Sequence, residues 1–455
     1  MQYTQRKRGY RYRFIQRSNC SSSSETEIKK QYGKDNLSFT RFWGKILIKI
    51  TTKRNLNMSD SENLILIAKE YGTPVYVYEE ERLIERMNSL TSIISDDKFK
   101  LLYAMKANEN PIIVSTINRN GFGMDACSIE EIELAMICGA DSKEIFYNAD
   151  CLTLDEIQYA FNKRVNITLG SLDAIKLVCN NFPGSEVIIR INTGIGSGHS
   201  DSVVTNGIMS KFGIFPSEIG VAMKLCAEQN VDIIGLHSHT GSGDMSAEIY
   251  VENARALIAL SKRIPSIRIL NFGGGFGFDY ENHAEYDINY VYDCLTDERQ
   301  KQNINDEVLF IIEPGRYIVA DSAVLLTRVC SVKNNEMRSY IGLDTGYNHF
   351  PRCFYYNAWH DITNLSSCHH TLKTYDIAGY LCQSGDMFAR ERQLPETCVG
   401  DLLCIKDVGA YGFSMSSNFN LRCKPAELMI TCEHKIKLIR RAEKLNDILS
   451  TCNMD

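Results

Sequence analysis

Residues 100–108 read Lys-Leu-Leu-Tyr-Ala-Met-Lys-Ala-Asn, a short apolar run that ends at a single lysine, Lys106. The residues from Leu101 to Met105 are all apolar, which is typical of a strand buried on both faces, as in parallel sheets. A lysine directly after such a strand lies where enzymes on parallel sheets keep their functional side chains. Lys106 is therefore the first candidate for the residue that carries the chemistry of this protein.

The same pattern repeats along the chain as short apolar or β-branched runs, most of them followed by an amphipathic segment of helical length. The eight predicted strands are 100–105, 122–126, 145–148, 166–169, 187–192, 233–237, 267–272 and 308–312. Parallel strands need crossover helices, and eight of them close into a cylinder that side chains can fill. The sequence therefore predicts an α/β fold, a (β/α)8 barrel of the TIM type.

The chain beyond about residue 335 has a different pattern, in which turn signals such as Asp344-Thr-Gly346 separate short apolar runs. This pattern predicts a C-terminal antiparallel β domain, and we expect a Lys- and Glu-rich terminal helix from about Glu433. Ahead of the barrel, a predicted strand at 75–78 lies between two predicted helices. The expected parts are a basic extension outside the fold, an N-terminal segment, the barrel and the β domain, at residues 1–57, 58–95, 96–335 and 336–455.

The composition is that of an ordinary globular protein, with 44% hydrophobic and 23% charged residues. No apolar stretch reaches the ~18–20 residues that cross a bilayer, so we expect no membrane partner. Residues 1–57 hold 14 Lys+Arg and 3 Asp+Glu, and the rest carries a formal charge of −17, which argues against a nucleic-acid partner. Two interpretations of the basic leader stay open, an organellar transit peptide or an upstream stretch outside the protein proper, since Met58 opens a natural start.

The sixteen cysteines are scattered, and neither a Cys-x-x-Cys pair nor a secretory signal accompanies them. A disulfide framework is not expected under these conditions, so we expect reduced thiols in a cytoplasmic protein. The segment Cys368-His-His370 has no second cluster at ligand spacing. No metal site is therefore predicted.

Three further loops follow predicted barrel strands, at the end where barrel enzymes keep their active sites. They are His237-Ser-His239-Thr-Gly-Ser242-Gly243, Gly273-Gly-Gly275-Phe-Gly277 and Glu313-Pro-Gly-Arg316. Glycine-rich loops let backbone N–H groups approach an anion, so two of them on adjacent strands predict a phosphate cradle. Such a cradle, a lysine that forms a Schiff base, an imidazole and a carboxylate beside a pyridine nitrogen are the parts that hold pyridoxal phosphate.

At this point the sequence resembles a known family, the fold-type III pyridoxal-phosphate-dependent decarboxylases, which include ornithine, arginine and diaminopimelate decarboxylases. The resemblance extends from about Leu64 to about Ile430 and is closest to the diaminopimelate branch. The motifs that carry it are Tyr103-Ala-Met-Lys106-Ala-Asn108, Gly235-Leu-His-Ser-His239-Thr-Gly-Ser242, Asn271-Phe-Gly-Gly-Gly275, Glu313-Pro-Gly-Arg316, Cys382-Gln-Ser-Gly-Asp386 and Asp407-Val-Gly-Ala-Tyr411. The resemblance implies an alanine racemase-like fold, with the strand near Val75 joining the β domain, and a homodimer that shares its active sites.

The resemblance also implies a role for each matched residue. Lys106 would hold pyridoxal phosphate, His239 would stack on its ring, and Glu313 would pair with the pyridine nitrogen. The other implied cofactor-binding residues are Ser242, Gly274, Gly275, Pro314, Gly315, Arg316 and Tyr411. Cys382, reaching in from the partner subunit, would protonate the carbanion left when carbon dioxide departs. The implied substrate-binding residues are Arg316, Arg352, Tyr356, Gln383 and Tyr411.

The implied reaction is the decarboxylation of meso-2,6-diaminopimelate to L-lysine, the last step of lysine biosynthesis. Gln383 departs from the family pattern, in which a glutamate receives the distal ammonium of the substrate, and the loss of this charge-assisted contact costs about 1–2 kcal/mol. One alternative is a related decarboxylase that acts on ornithine, lysine, or a carboxylated polyamine or amino-acid conjugate. An alanine-racemase-like reaction and a catalytically inactive binding homologue are further alternatives, against which Cys382 and the joint presence of Lys106, His239 and Glu313 argue.

Overall fold

The computed structural model describes residues 56–453, so the predicted extension 1–57 lies almost wholly outside the described residues. The first elements are α1 (Ser61–Tyr71), β1 (Val75–Glu79) and α2 (Glu80–Ile93). The carboxylate of Asp60 accepts a hydrogen bond from the backbone N–H of Glu62 and caps α1. Strand β1 is buried along most of its length.

A closed barrel of eight parallel strands follows. Its strands are β2 (Phe99–Ala104), β3 (Gly123–Ala126), β4 (Ile145–Tyr147), β5 (Asn166–Leu169), β6 (Glu186–Arg190), β7 (Asp232–His237), β8 (Ile269–Asn271) and β9 (Leu309–Ile312). Pairing of β2 with β9 closes the cylinder. The predicted barrel is confirmed, and each of the eight predicted strands coincides with an observed one.

Helices on the outside of the barrel connect the strands. They are α3 (Pro111–Arg119), α4 (Ile129–Ile137), α5 (Leu154–Lys163), α6 (Leu172–Asn181), α7 (Ile219–Glu228), α8 (Ala247–Ser261) and α9 (Ile288–Lys301). Thr153 and Glu156 form a capping box at the start of α5. Five apolar side chains from different strands fill the barrel interior: Leu102, Phe146, Ile188, Ile234 and Ile311. The interior of the barrel is thus packed with apolar side chains, so functional side chains are expected at the ends of the strands.

The rest of the described chain forms a second sheet with short helices. Its elements are α10 (Arg316–Val319), β10 (Ala323–Asn334), β11 (Ser339–Leu343), α11 (Arg352–Tyr356), β12 (Ile362–Asn364), β13 (Leu372–Ala378), β14 (Met387–Pro395), β15 (Leu402–Ile405), β16 (Ala426–Ile430), β17 (Ile436–Arg440) and α12 (Leu445–Leu449). The strand order is β14-β13-β11-β10-β1-β16-β17, with β15 beside β10 and β12. Strand β1 therefore lies inside this sheet, between β10 and β16.

Two details of the second sheet differ from the prediction. Most strand pairs are antiparallel, but β1 pairs with β16 and β11 with β13 in parallel, so the sheet is mixed. The predicted start of the terminal helix at Glu433 is wrong, because Ile436–Arg440 forms β17 and pairs with β16; the terminal helix is the short α12, Leu445–Leu449. Leu438 of this strand packs against the apolar cluster under the sheet, which favours a strand over a solvated helix.

Among the described residues, no helix is long and apolar enough to cross a membrane. All fifteen cysteines in this part of the chain are free thiols. Several of them, such as Cys179, Cys226 and Cys404, are buried, which is the usual environment of a cysteine that serves as a small apolar side chain.

Candidate active site

The carboxyl ends of the barrel strands enclose a cavity of ≈ 380 Å³ that is lined by half of the predicted site residues. Lys106 lies on a short 3-10 turn, Met105–Ala107, directly after β2. Its side chain keeps 37% of its exposure because it points into this cavity. The predicted residues that line the cavity are Lys106, His239, Ser242, Glu313, Arg316, Tyr356 and Tyr411.

Glu313 is a buried carboxylate at the end of β9, with 4% exposure. Its Oε1 accepts hydrogen bonds from Asn148 Nδ2 at 2.7 Å and from Asn271 Nδ2 at 2.6 Å. Burial raises the pKa of Glu313, whereas the charge of Lys106 and the amide donors lower it. Donors aimed at a carboxylate favour its ionised form. The site thus holds a fixed acceptor oxygen in the cavity wall, suited to a protonated ring nitrogen.

The imidazole of His239 is half-buried, and its Nδ1 is buried without a hydrogen-bond partner in the described structure. Burial lowers the pKa of His239 well below its usual value, and the charge of Lys106 adds to this effect. The imidazole is therefore neutral. Because a neutral flat ring stacks on another aromatic ring without a desolvation penalty, His239 fits an aromatic ligand rather than an anion.

A backbone cradle adjoins the cavity beside His239 and Lys106. It is lined by Ser242, Gly274, Gly275, Phe276, Gly315 and Arg316. A Cβ on Gly274 would lie 2.0 Å from the backbone oxygen of Glu313, and Gly275 has φ +106° with a Cβ position 2.4 Å from Gly241 O. Only glycine permits this approach of backbone to backbone. The cradle therefore has the features of a phosphate site, namely close backbone, a hydroxyl and a guanidinium.

The Glu313-Pro-Gly-Arg316 loop is tied to the strand that precedes Lys106. The backbone oxygen of Pro314 accepts a hydrogen bond from Ala104 N at 3.2 Å, and a Cβ on Gly315 would lie 3.0 Å from Ala104 Cβ. Arg316 donates from Nη2 to Ser242 Oγ at 2.9 Å. The cradle and the lysine are thus fixed relative to each other.

Three of the predicted substrate residues, Arg316, Tyr356 and Tyr411, line the cavity, and a fourth lies behind its wall. Tyr356 and Tyr411 reach the cavity, and the guanidinium of Arg316 lies 4.8 Å from the ring centroid of Tyr411. Arg352 is fully buried, so it does not meet the cavity surface. It stacks on Tyr280 at 4.2 Å and bonds His360 Nε2 from Nη1 at 2.8 Å. Burial lowers the pKa of Arg352 to about 10.

Cys382 and Gln383 are exposed and do not line the cavity of their own chain. The backbone N–H of Cys382 donates to Asn420 Oδ1 at 3.0 Å. The two residues next to Asn420, Phe419 and Leu421, are apolar side chains with 44% and 60% exposure. The predicted proton donor therefore lies on an exposed apolar surface, apart from Lys106.

The structure adds site residues to which the sequence analysis assigned no role. They are Asp125, Cys127, Asn148, Arg190, His237 and Asn271. Asp125 is an acidic residue within the apolar strand β3, a pattern that is unusual for a core strand and that signals a paired charge. Asn148 ends the predicted strand 145–148 and Asn271 ends the observed strand β8, positions where polar side chains of a barrel point into the site.

Gly274→Ala is expected to lower both the stability and the affinity for pyridoxal phosphate. The added Cβ would overlap Glu313 O at 2.0 Å, so two loops must separate, at a cost of about 1–3 kcal/mol. Thermal melting and titration with pyridoxal phosphate measure the two effects. Gly220→Ala on α7 is the matched control, because its nearest neighbour would be Arg263 Nη2 at 4.0 Å. Equal stability and equal affinity of the two variants would contradict the close approach at Gly274.

The site agrees with what comparisons with known proteins find. Residues 80–320 match the family "Pyridoxal-dependent decarboxylase, pyridoxal binding domain". A diaminopimelate decarboxylase of Methanothermobacter thermautotrophicus is 33% identical over 421 residues, 90% of this chain and 97% of that protein. One of Escherichia coli K12 is 30% identical over 411 residues, 86% of this chain and 96% of that protein.

Solved structures give the same result. The structure of diaminopimelate decarboxylase from Helicobacter pylori complexed with L-lysine matches with a TM-score of 0.79 at 28% identity, over 86% of this chain and 98% of that chain. The enzyme from M. jannaschii in co-complex with L-lysine has a TM-score of 0.79 at 28% identity, over 86% of this chain and 94% of that chain. The chain therefore belongs to the pyridoxal-dependent decarboxylases, within their diaminopimelate decarboxylase group.

Proposed function

We propose that this protein decarboxylates meso-2,6-diaminopimelate to L-lysine with pyridoxal phosphate as its cofactor. The proposal is carried by one observation. The amino group of Lys106, the fixed carboxylate of Glu313 and the backbone cradle for an anion lie side by side in the cavity. An amino group can bind an aldehyde, a carboxylate can bind a protonated ring nitrogen, and a backbone cradle can bind a phosphate. The kinship with curated diaminopimelate decarboxylases supports the choice of substrate.

Different residues of the cavity would hold different parts of the cofactor. When bound, pyridoxal phosphate supplies an electron sink for the pair that is left when the bond to the carboxylate breaks. Lys106 would hold the cofactor through Nζ, and Glu313 would present its carboxylate to the ring nitrogen. His239 offers a neutral ring face for stacking, and the backbone around Gly274 and Gly275 receives the phosphate. Burial of this set excludes water, which strengthens each electrostatic contact.

The far end of the substrate carries a carboxylate and an ammonium. Arg316 meets the cavity and provides a cation for the carboxylate, and the hydroxyl of Tyr356 lies on the same wall. Arg352 is buried behind Tyr280 and does not reach the cavity, but it adds positive charge near this end of the site. Gln383 offers an amide oxygen in place of a carboxylate. A neutral side chain discriminates less against carboxylated substrates that lack the distal ammonium, so such conjugates are a second candidate substrate class.

We infer a homodimer in which each copy completes the site of the other. Cys382 and Gln383 are exposed and lie beside exposed Phe419 and Leu421. Apolar side chains exposed in a group favour a protein interface. In such a dimer, the thiol of Cys382 enters the partner's cavity and donates its proton to the substrate carbon after carbon dioxide has left.

The deciding experiment measures carbon dioxide and lysine together. Purified protein with pyridoxal phosphate is incubated with meso-diaminopimelate, and in parallel with L-lysine and L-ornithine. We expect equal amounts of carbon dioxide and lysine from meso-diaminopimelate and far slower reaction of the other two, which lack the carboxylate for Arg316. If the protein handles meso-diaminopimelate no better than lysine or ornithine, the substrate assignment fails.

A further inference from the structure

One buried acid of the cavity has no part in the function proposed above. Asp125 lies on β3 with a fully buried side chain, and its Oδ2 accepts a hydrogen bond from Lys106 Nζ at 2.6 Å. Its Oδ1 accepts a second hydrogen bond from Asn148 Nδ2 at 2.8 Å. Both carboxylate oxygens are thus held by donors. Asp125 is fixed against the nitrogen atom that the proposed reaction uses.

This pair determines the protonation state of free Lys106. Burial by itself would lower the pKa of Lys106, because an ammonium loses solvation inside the barrel. Burial is the largest single effect, but the charge of Asp125, together with Cys127, Tyr411 and Glu313, more than offsets it and raises the pKa of Lys106 well above its usual value. Lys106 is therefore an ammonium at neutral pH. Because an ammonium has no electron pair with which to attack a carbonyl carbon, one proton has to leave Nζ before the lysine reacts.

The groups around Lys106 differ in their ability to take that proton. The titratable or charged ones are Asp125, Cys127, Glu131, Arg190, His237, His239, Glu313 and Tyr411. Burial raises the pKa of the Cys127 thiol to about 12, so this thiol keeps its own proton. Burial lowers the pKa of both histidines well below the usual value, so they bind a proton weakly.

The two buried carboxylates of the cavity are placed differently. Glu313 is occupied by the amides of Asn148 and Asn271, whereas Asp125 is in direct contact with Lys106 Nζ. Burial, followed by the charge of Glu313, raises the pKa of Asp125. A carboxylate with a raised pKa is a stronger base than one in water, and its distance to Nζ is within the range required for proton transfer.

We propose that Asp125 is a catalytic proton acceptor for Lys106. It holds the free lysine as an ammonium and takes one proton from Nζ, which frees the electron pair that forms the bond to the carbonyl carbon of an aldehyde. The π pair of the carbonyl group moves to its oxygen, and this oxygen takes up the two protons that remain on Nζ and leaves as water as the C=N bond forms. The transfer leaves a neutral amine and a neutral carboxylic acid, so the charge of the pair is conserved. When the lysine is released again, the proton returns from Oδ2 to Nζ. The proposal rests on the proposed function only for the role of Lys106 as nucleophile.

The reactivity of Lys106 toward acetic anhydride measures this pair without any turnover. The full-length protein, freed of cofactor, is labelled across a pH series, and peptide mass spectrometry follows each lysine. In Asp125→Asn the amide cannot hold the ammonium, so burial lowers the pKa of Lys106. We expect its labelling near pH 8 to rise at least about tenfold, the effect of one pKa unit. Asp125→Glu keeps the charge and is expected to label as slowly as wild type.

A second ion pair in the same sample serves as the matched control. Lys98 Nζ lies 2.7 Å from Asp306 Oδ1, close to the distance in the site, but the Asp306 side chain is 75% exposed whereas that of Asp125 is fully buried. Water screens such a pair. Asp306→Asn is therefore expected to change the labelling rate of Lys98 less than about twofold.

The holoenzyme gives an independent readout. With the cofactor attached, passage of the proton from Oδ2 to the nitrogen of Lys106 would restore the ionised carboxylate beside a protonated nitrogen, so the visible absorption of wild type should persist to high pH. In Asp125→Asn the pKa of this absorption is expected to fall by about one unit. A structural role alone would alter stability and leave this pKa in place.

Each outcome decides the proposal. An Asp125→Asn variant that melts like wild type but labels no faster would overturn it. If that variant does not fold, the pH series of the wild-type protein decides by itself. A pKa of Lys106 above that of exposed lysines supports the ion pair with Asp125, and a pKa at or below it refutes this ion pair. Absence of decarboxylation alongside the expected labelling would instead refute the proposed function.

Discussion

Two variants that are each inactive alone, Lys106→Ala and Cys382→Ala, are expected to regain activity when their subunits are mixed. Lys106 lines the cavity of its own chain, whereas Cys382 is exposed outside it. In a mixed dimer, one site receives an intact lysine from one chain and an intact cysteine from the other. Loss of the proton donor alone costs about 10²–10⁴-fold in rate. Equal mixing of subunits should restore about a quarter of wild-type activity, since half the dimers are mixed and each has one intact site.

The matched control mixes Lys106→Ala with Glu313→Gln. Both residues line the cavity of the same chain, so no mixed dimer of these two variants contains an intact site, and no recovery is expected. Steady-state production of lysine after subunit exchange measures both mixtures. If the first mixture stays inactive while both variants are dimers that exchange subunits, Cys382 does not act in the partner's cavity and the inference of a shared site is wrong.

The barrel and the position of its lysine could be predicted because they follow from local pattern. Each strand of the barrel is a short apolar run, and the pairing of parallel strands in chain order needs no further information. The loops at the strand ends are recognisable in the sequence by their glycines. At Gly274, for example, a Cβ would lie 2.0 Å from Glu313 O. Local composition therefore identifies the strand ends and glycine-rich loops that form part of the cavity wall.

The contacts inside the site depend on distances between strands, which the sequence does not state. Asn148 bonds both Asp125 and Glu313, residues that are 23 and 165 positions away. Arg352 was predicted as a substrate residue by resemblance, but its burial behind Tyr280 follows from packing across the two halves of the chain. The parallel pairing of β1 with β16 joins residues about as far apart as the chain allows. Such long-range pairing leaves no local signal in the sequence.

Glu313→Gln is expected to lower both kcat and stability. Glu313 Oε1 accepts amide hydrogens from Asn148 and Asn271. If the amide nitrogen of glutamine takes this place, three donors face one another, which costs about 1–3 kcal/mol. If the amide oxygen takes it, the nitrogen turns toward His237 and the negative charge is still lost. Without that charge the ring nitrogen of the cofactor is no longer held protonated, and removal of one electrostatic stabiliser of this kind typically lowers kcat about 10²–10³-fold.

The size of the kcat effect separates a chemical role from a structural one. Asp376→Asn on β13 is the matched control, because Asp376 is a buried carboxylate with 3% exposure that accepts hydrogen bonds from Arg338 and Glu391 N. Its loss should lower the melting temperature and leave kcat close to wild type, since β13 lies outside the cavity. Rate measurements at saturating substrate and cofactor, with thermal melts of both variants, make the comparison. A fall in kcat that is the same for both variants would mean that Glu313 supports the fold and does not act on the cofactor.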